Sequence, residues 1–206
     1  MKKTFFAAAV VAAFTFSACS ENKTENTEAV MESTEAVETE ATLTTNVVVE
    51  TPDYTSGSEV VETQIEQVVD AYLKVKEALV ASDAEAAKAA ASNVASLAEA
   101  MPVATLTGEQ KAYAEEKRAE IQQSASAIAQ ASDVDAQREH LELLSESVFS
   151  MAKAFGAATQ QLYYQHCPMA NNNQGAYWLS ANEDIRNPYF GESMLKCGST
   201  EEVYKN

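Results

Sequence analysis

Apolar residues return every three or four positions from Val61 to Leu79, and no other feature restricts the fold as much. Val61, Ile65, Val68, Tyr72, Val75 and Leu79 share one face of a 3.6-residue helix. Ser82-Asp83-Ala84-Glu85 reads as a capping box, so one helix stops near Ala81 and the next begins at once. The second carries Ala87, Ala90, Val94, Leu97 and Met101 on its stripe, and Pro102 ends it. Thr107-Gly108-Glu109-Gln110 reads as another box, opening a third helix with Ala114, Ile121, Ala125 and Ile128 inward. A fourth starts after Asp133 and carries Leu141, Leu144, Val148, Met151, Phe155, Ala158 and Leu162. Four such stripes joined by short loops predict an all-α fold, an antiparallel four-helix up-down bundle over 58–162. Seams between separate chains are the competing arrangement, and the short loops weigh against it.

The N-terminus points to the compartment. Lys2 and Lys3 precede an apolar run from Phe5 to Phe16, too short to span a bilayer comfortably. The run ends in Phe16-Ser17-Ala18-Cys19, which resembles the bacterial lipoprotein processing box, with Phe16 where leucine is usual. The resemblance implies a signal peptide over 1–18, cleavage before Cys19 and lipidation of Cys19, an anchor of several acyl chains. Ser20 in place of an aspartate points to the outer membrane, facing the periplasm, with export to the surface, directed by Glu21 and the acidic run, as the alternative. Residues 19–57 then form an acidic linker in which carboxylates far outnumber the single Lys23, too polar to fold. Val47 to Val49 within it carry only a faint strand signal. With a formal net charge of -17 the chain repels phosphate backbones, so nucleic acid is excluded as a partner.

Beyond Gln160 the helical spacing fails, and 163–206 reads as an irregular C-terminal tail docked on the bundle. Pro168, Gly175, Pro188, Gly191 and Gly198 punctuate a segment rich in tyrosine, with Trp178 and Phe190. "YYQHC" and "AYWLS" predict two short strands around the polar loop "ANNNQG". His166, Cys167, Met169, Met194 and Cys197 all lie here. Thiolate, thioether and imidazole groups together suit Cu(I) or Ag(I). Cys167, Met169, Met194 and Cys197 make the better set, because His166 and Cys167 are strand neighbours facing opposite ways. The same two cysteines in an oxidising envelope are equally a disulfide pair, with the methionines as core filler. The two readings stay open together, since a reducible pair binds metal only when reduced.

"LYYQHCPMANNNQGAYWLS" and "IRNPYFGESMLKCG", with "YLKVKEALVASDAEAA" and "QREHLELLSESVF" upstream, resemble an uncharacterised bacterial domain family. That family occurs as lipoproteins and appended to periplasmic adaptor subunits of heavy-metal efflux pumps. The resemblance covers about residues 60 to 206. It implies association with copper or silver handling and an efflux adaptor as partner, by the company the domain keeps.

Catalysis is not expected. The chain has no nucleophile elbow, phosphate-cradling glycine loop, H-E-x-x-H zinc motif or CxxC pair. Two functions remain: an envelope lipoprotein that binds Cu(I) or Ag(I) for buffering or handover, or a disulfide-stapled interaction module docking on an envelope transport complex.

Overall fold

A computed structural model describes residues 47–55 and 58–205. The signal peptide, Cys19 and the linker as far as residue 46 lie outside the described residues. Among the described residues no helix is long and apolar enough to cross a membrane.

Five helices come first: α1 (Glu59–Val80), α2 (Ala84–Glu99), α3 (Gly108–Gln130), α4 (Val134–Arg138) and α5 (Leu141–Phe155). The α1 stripe from Val61 to Leu79 is buried throughout. Helix α2 buries Ala87, Ala91, Val94 and Ala98, so its seam is rotated from the expected one, and Ala90 and Leu97 are only half-buried. The inward residues expected on α3 are all buried. Helices α1 and α3 each pack against both α2 and α5, so the four long helices close a circuit around one core.

Both capping boxes are corrected in detail. Asp83, not Ser82, caps α2 by accepting from the Ala86 N–H at 2.9 Å. Ser82 instead takes a left-handed turn (φ 54) and receives Arg138. Thr107 precedes α3 with no side-chain cap bond. The fourth helix is also not continuous. Asp133 caps α4 through Ala136, but the helix breaks at Glu139 and His140 before α5 begins. Helix α5 ends at the left-handed Gly156, so Ala158 lies beyond it and Leu162 opens a strand.

The all-α expectation is corrected too. The fold is mostly helical, with a three-stranded antiparallel sheet at its C-terminal end, ordered β2-β1-β3. Strand β1 is Leu162–Cys167 and β2 is Ala176–Ser180, the two strands expected. Strand β3, Ser199–Tyr204, was not expected. His166 pairs with Tyr177 on one side and Ser199 on the other. Side chains alternate across the sheet. Leu162, Tyr164 and Leu179 enter the helical core, where Tyr164 stacks on Phe149 at 4.6 Å. Cys167, Ala176 and Trp178 belong to a second cluster with Ala170, partly covered by Ile185, Tyr189, Phe190 and Cys197.

The end of the expected linker is packed. The Val48 and Val49 N–H groups donate to Glu202 Oε2 at 2.8 and 3.0 Å, and Lys153 Nζ donates to the Val49 carbonyl. Tyr54 donates its N–H to the Ala154 carbonyl and sets its ring between Tyr113 and Phe155. Residues 47–50 form no strand. A linker reading based on composition fails here because the apolar partners are supplied by α5 and α3.

Candidate functional site

The sheet decides what the C-terminal sulfurs can reach. Cys167 ends β1 on the side away from α5 and is fully buried. Cys197 ends a turn in which its N–H donates to the Met194 carbonyl at 3.0 Å. Its own carbonyl accepts from Asn187 Nδ2 at 2.8 Å, and the buried Asn187 also accepts from the Tyr189 N–H. Gly198 follows with φ 144. A Cβ there would lie 2.7 Å from the His166 carbonyl oxygen and 2.8 Å from Trp178 Cη2, so only glycine lets the chain pass. The two sulfurs meet 2.7 Å apart. The Cys167 sulfur, with burial in second place, holds the Cys197 thiol above its ordinary range.

A polar frame fixes this pair from below. Trp178 Nε1 donates to Gln165 Oε1 at 2.8 Å. Gln165 Nε2 in turn donates to the carbonyls of Asn182 and Glu183. The indole is thus satisfied and locked beside the cysteines, and the loop after β2 is tied to the middle of β1. Tyr189 donates its hydroxyl to the Tyr177 carbonyl, which holds its ring against Trp178 at 6.1 Å between centroids.

Of the sequence-predicted residues, the structure brings Cys167 and Cys197 together. His166 stands on the opposite face of the sheet, its ring 4.4 Å from that of Tyr177 and pressed over Gly175. The sheet therefore separates imidazole from thiol, as alternation requires. Met169 lies in the turn after β1 and is 48% exposed. Met194 closes a short 3-10 turn over Gly191–Met194 and is half-buried. Among the described residues no three His, Cys, Asp or Glu side chains converge as metal ligands.

Sequence reasoning missed Gln165, Asn187 and Gly198. Gln165 sits mid-strand where a polar residue reads as solvent-facing. Asn187 before Pro188 reads as an ordinary turn. The glycine beside a cysteine was visible but gave no hint of what it passes.

Residues 68–160 match a family model described as "Protein of unknown function (DUF3347)". The match covers most of the helical part and stops short of the sheet and of both cysteines. No curated protein and no solved structure matches the chain. The chain is thus similar to an uncharacterised domain family over its helices, and that family's description prints no activity, ligand or partner.

Proposed function

We propose that this chain is a lipid-anchored envelope protein whose folded unit is a non-catalytic interaction module, its C-terminal layer closed by a Cys167–Cys197 disulfide. The observation that carries the reading is the 2.7 Å between the two sulfurs. Unbonded sulfur atoms keep well outside that separation, whereas bonded ones stand at about 2.05 Å. In the structure the two stand as free thiols, 2.7 Å apart. The signal sequence supports an oxidising compartment in which that bond persists. A crosslink between residues 30 apart stabilises the fold by about 3 to 4 kcal/mol.

In this reading the four long helices form an antiparallel bundle that serves as a rigid platform. Cys19 carries the lipid, the acidic tether spaces the platform from the outer membrane, and the domain faces the periplasm. The partner is an envelope transport complex, an adaptor of a heavy-metal efflux pump being the choice that the family resemblance supports.

The same convergence supports a second reading in the reduced state. Two sulfurs at one point, with Cys197 partly exposed, suit Cu(I) or Ag(I) as cargo. Met194 lies three residues before Cys197, and Met169 follows Cys167 by two. His166 drops out of this set because it lies across the sheet.

Unfolding with and without reductant separates the readings. Cys197→Ser is expected to cost about 3 to 4 kcal/mol in non-reducing buffer and almost nothing relative to the reduced wild type. A wild-type stability indifferent to reductant contradicts the crosslink. Cu(I) binding tighter than micromolar by the reduced protein, weakened in Met169→Ala or Met194→Ala, favours the second reading.

A further inference from the structure

The helix break at Glu139 and His140 opens a cleft of about 310 Å³ between the α4–α5 junction and the C-terminal layer. Its two sides differ in chemistry. Tyr189 and Phe190 supply aromatic wall, Met169 an exposed thioether. Glu139 and Glu142 stand on the helical side. Asn171 and Asn172 line the cleft from a turn held in left-handed backbone, φ 50 and 57.

The charges in this cleft do not cancel. Arg138 also lines it, but each nitrogen of its guanidinium is already engaged. Nη1 donates to Asp135 at 2.9 Å, Nε to the Pro188 carbonyl at 2.8 Å, and Nη2 to the Leu79 carbonyl and Ser82 Oγ. Asp135 is thereby neutralised. Among the described residues neither Glu139 nor Glu142 has an ion-pair partner within 4.0 Å. Glu142 receives only a long 3.4 Å bond from Asn171 Nδ2. Burial, then the neighbouring Glu146, raises its carboxyl above the usual range, against weaker opposing effects of His166 and Asn171. A carboxylate drawn partly from water with no ion-pair partner is relieved by a cation.

We propose that this cleft binds a small organic cation, its ammonium or guanidinium group between Glu139 and Glu142 and its apolar body against Tyr189 and Phe190. The volume matches the lower end of small-molecule sites. Aromatic side chains beside carboxylates favour a cation with a flat or short hydrocarbon body over a hydrated metal ion. The site uses neither sulfur of the pair, although its wall residues Tyr189 and Phe190 also pack on the cluster around Cys167.

The test is calorimetric titration of the full chain at low ionic strength with phenethylamine and with phenethyl alcohol, the same body without the charge. The amine is expected to bind at least about tenfold more tightly, a difference of about 1.4 kcal/mol. Its affinity falls as salt rises. Glu142→Gln and Glu139→Gln each weaken the amine by about tenfold and leave the alcohol unchanged. Glu99→Gln, on an exposed carboxylate at the end of α2, changes neither. Equal binding of the two compounds, wild-type affinity in both cleft variants, or no heat up to about 10 mM amine overturns the proposal.

Discussion

Lys153 on α5 and Glu202 on β3 form an ion pair in which the glutamate side chain is 4% exposed and the lysine 17%. Both partners also hold the entry segment, Glu202 through the N–H groups of Val48 and Val49, Lys153 through the Val49 carbonyl. The segment 48–49 and the last strand are thus fastened at one point against the helical layer.

Removing Glu202 leaves the part-buried Lys153 ammonium with only the Val49 carbonyl and takes the acceptor from two part-buried N–H groups. Glu202→Ala is expected to cost about 3 kcal/mol or more, read from the urea midpoint. A loss below about 1 kcal/mol would mean that the pair is solvated and the segment loosely held.

Gly198→Ala places a methyl against backbone and indole at a φ that L-residues avoid. It should cost at least about 2 kcal/mol and slow oxidation of the two thiols, measured by melting and by timed alkylation. Gly108, with positive φ but open space around its Cβ position, should tolerate alanine with a smaller loss.

The two helix starts make a matched pair. Asp83→Ala removes a cap bond and should cost about 1 kcal/mol. Thr107→Ala removes none and should lie within about 0.5 kcal/mol of wild type by the same denaturation assay.

Tyr72 is fully buried, donates or accepts with Ser145 Oγ at 2.7 Å and accepts from the Leu179 N–H. Burial, partly opposed by these bonds, pushes its phenol up from 10.0 to about 12. Its contribution is therefore complete below pH 10 and is lost as pH rises toward 12, where the unfolded chain has already released that proton. The slope from this one group approaches 1.4 kcal/mol per pH unit at most. Tyr72→Phe should be less stable at pH 7 yet fall less steeply between pH 10 and 12. Parallel curves for the two proteins would place the titration elsewhere.

The helical stripes were legible because a fully buried Val, Ile or Leu has no alternative face. The α2 seam was not, since alanines occur all around that helix and alanine does not announce its side. The break at Glu139–His140 carries neither glycine nor proline, and tertiary contacts stand at that corner, Arg138 reaching to Leu79, Ser82 and Pro188 and Gln137 to Ala84. Strand β3 was invisible because "STEEVY" looks solvent-facing until Lys153 draws Glu202 inward. The opposition of His166 and Cys167 followed from strand alternation alone. The meeting of Cys167 with Cys197 did not, because it depends on Gly198 and Asn187 steering the chain past Trp178.

The crosslink proposed for the C-terminal layer turns on whether its two sulfurs are joined. Intact-mass measurement after alkylation of the unfolded protein without reductant tests this directly. The account predicts that Cys167 and Cys197 take up no alkyl group until reductant is added, and that a single peptide pair links them after digestion. Two alkyl groups on protein taken straight from the cell envelope would contradict it.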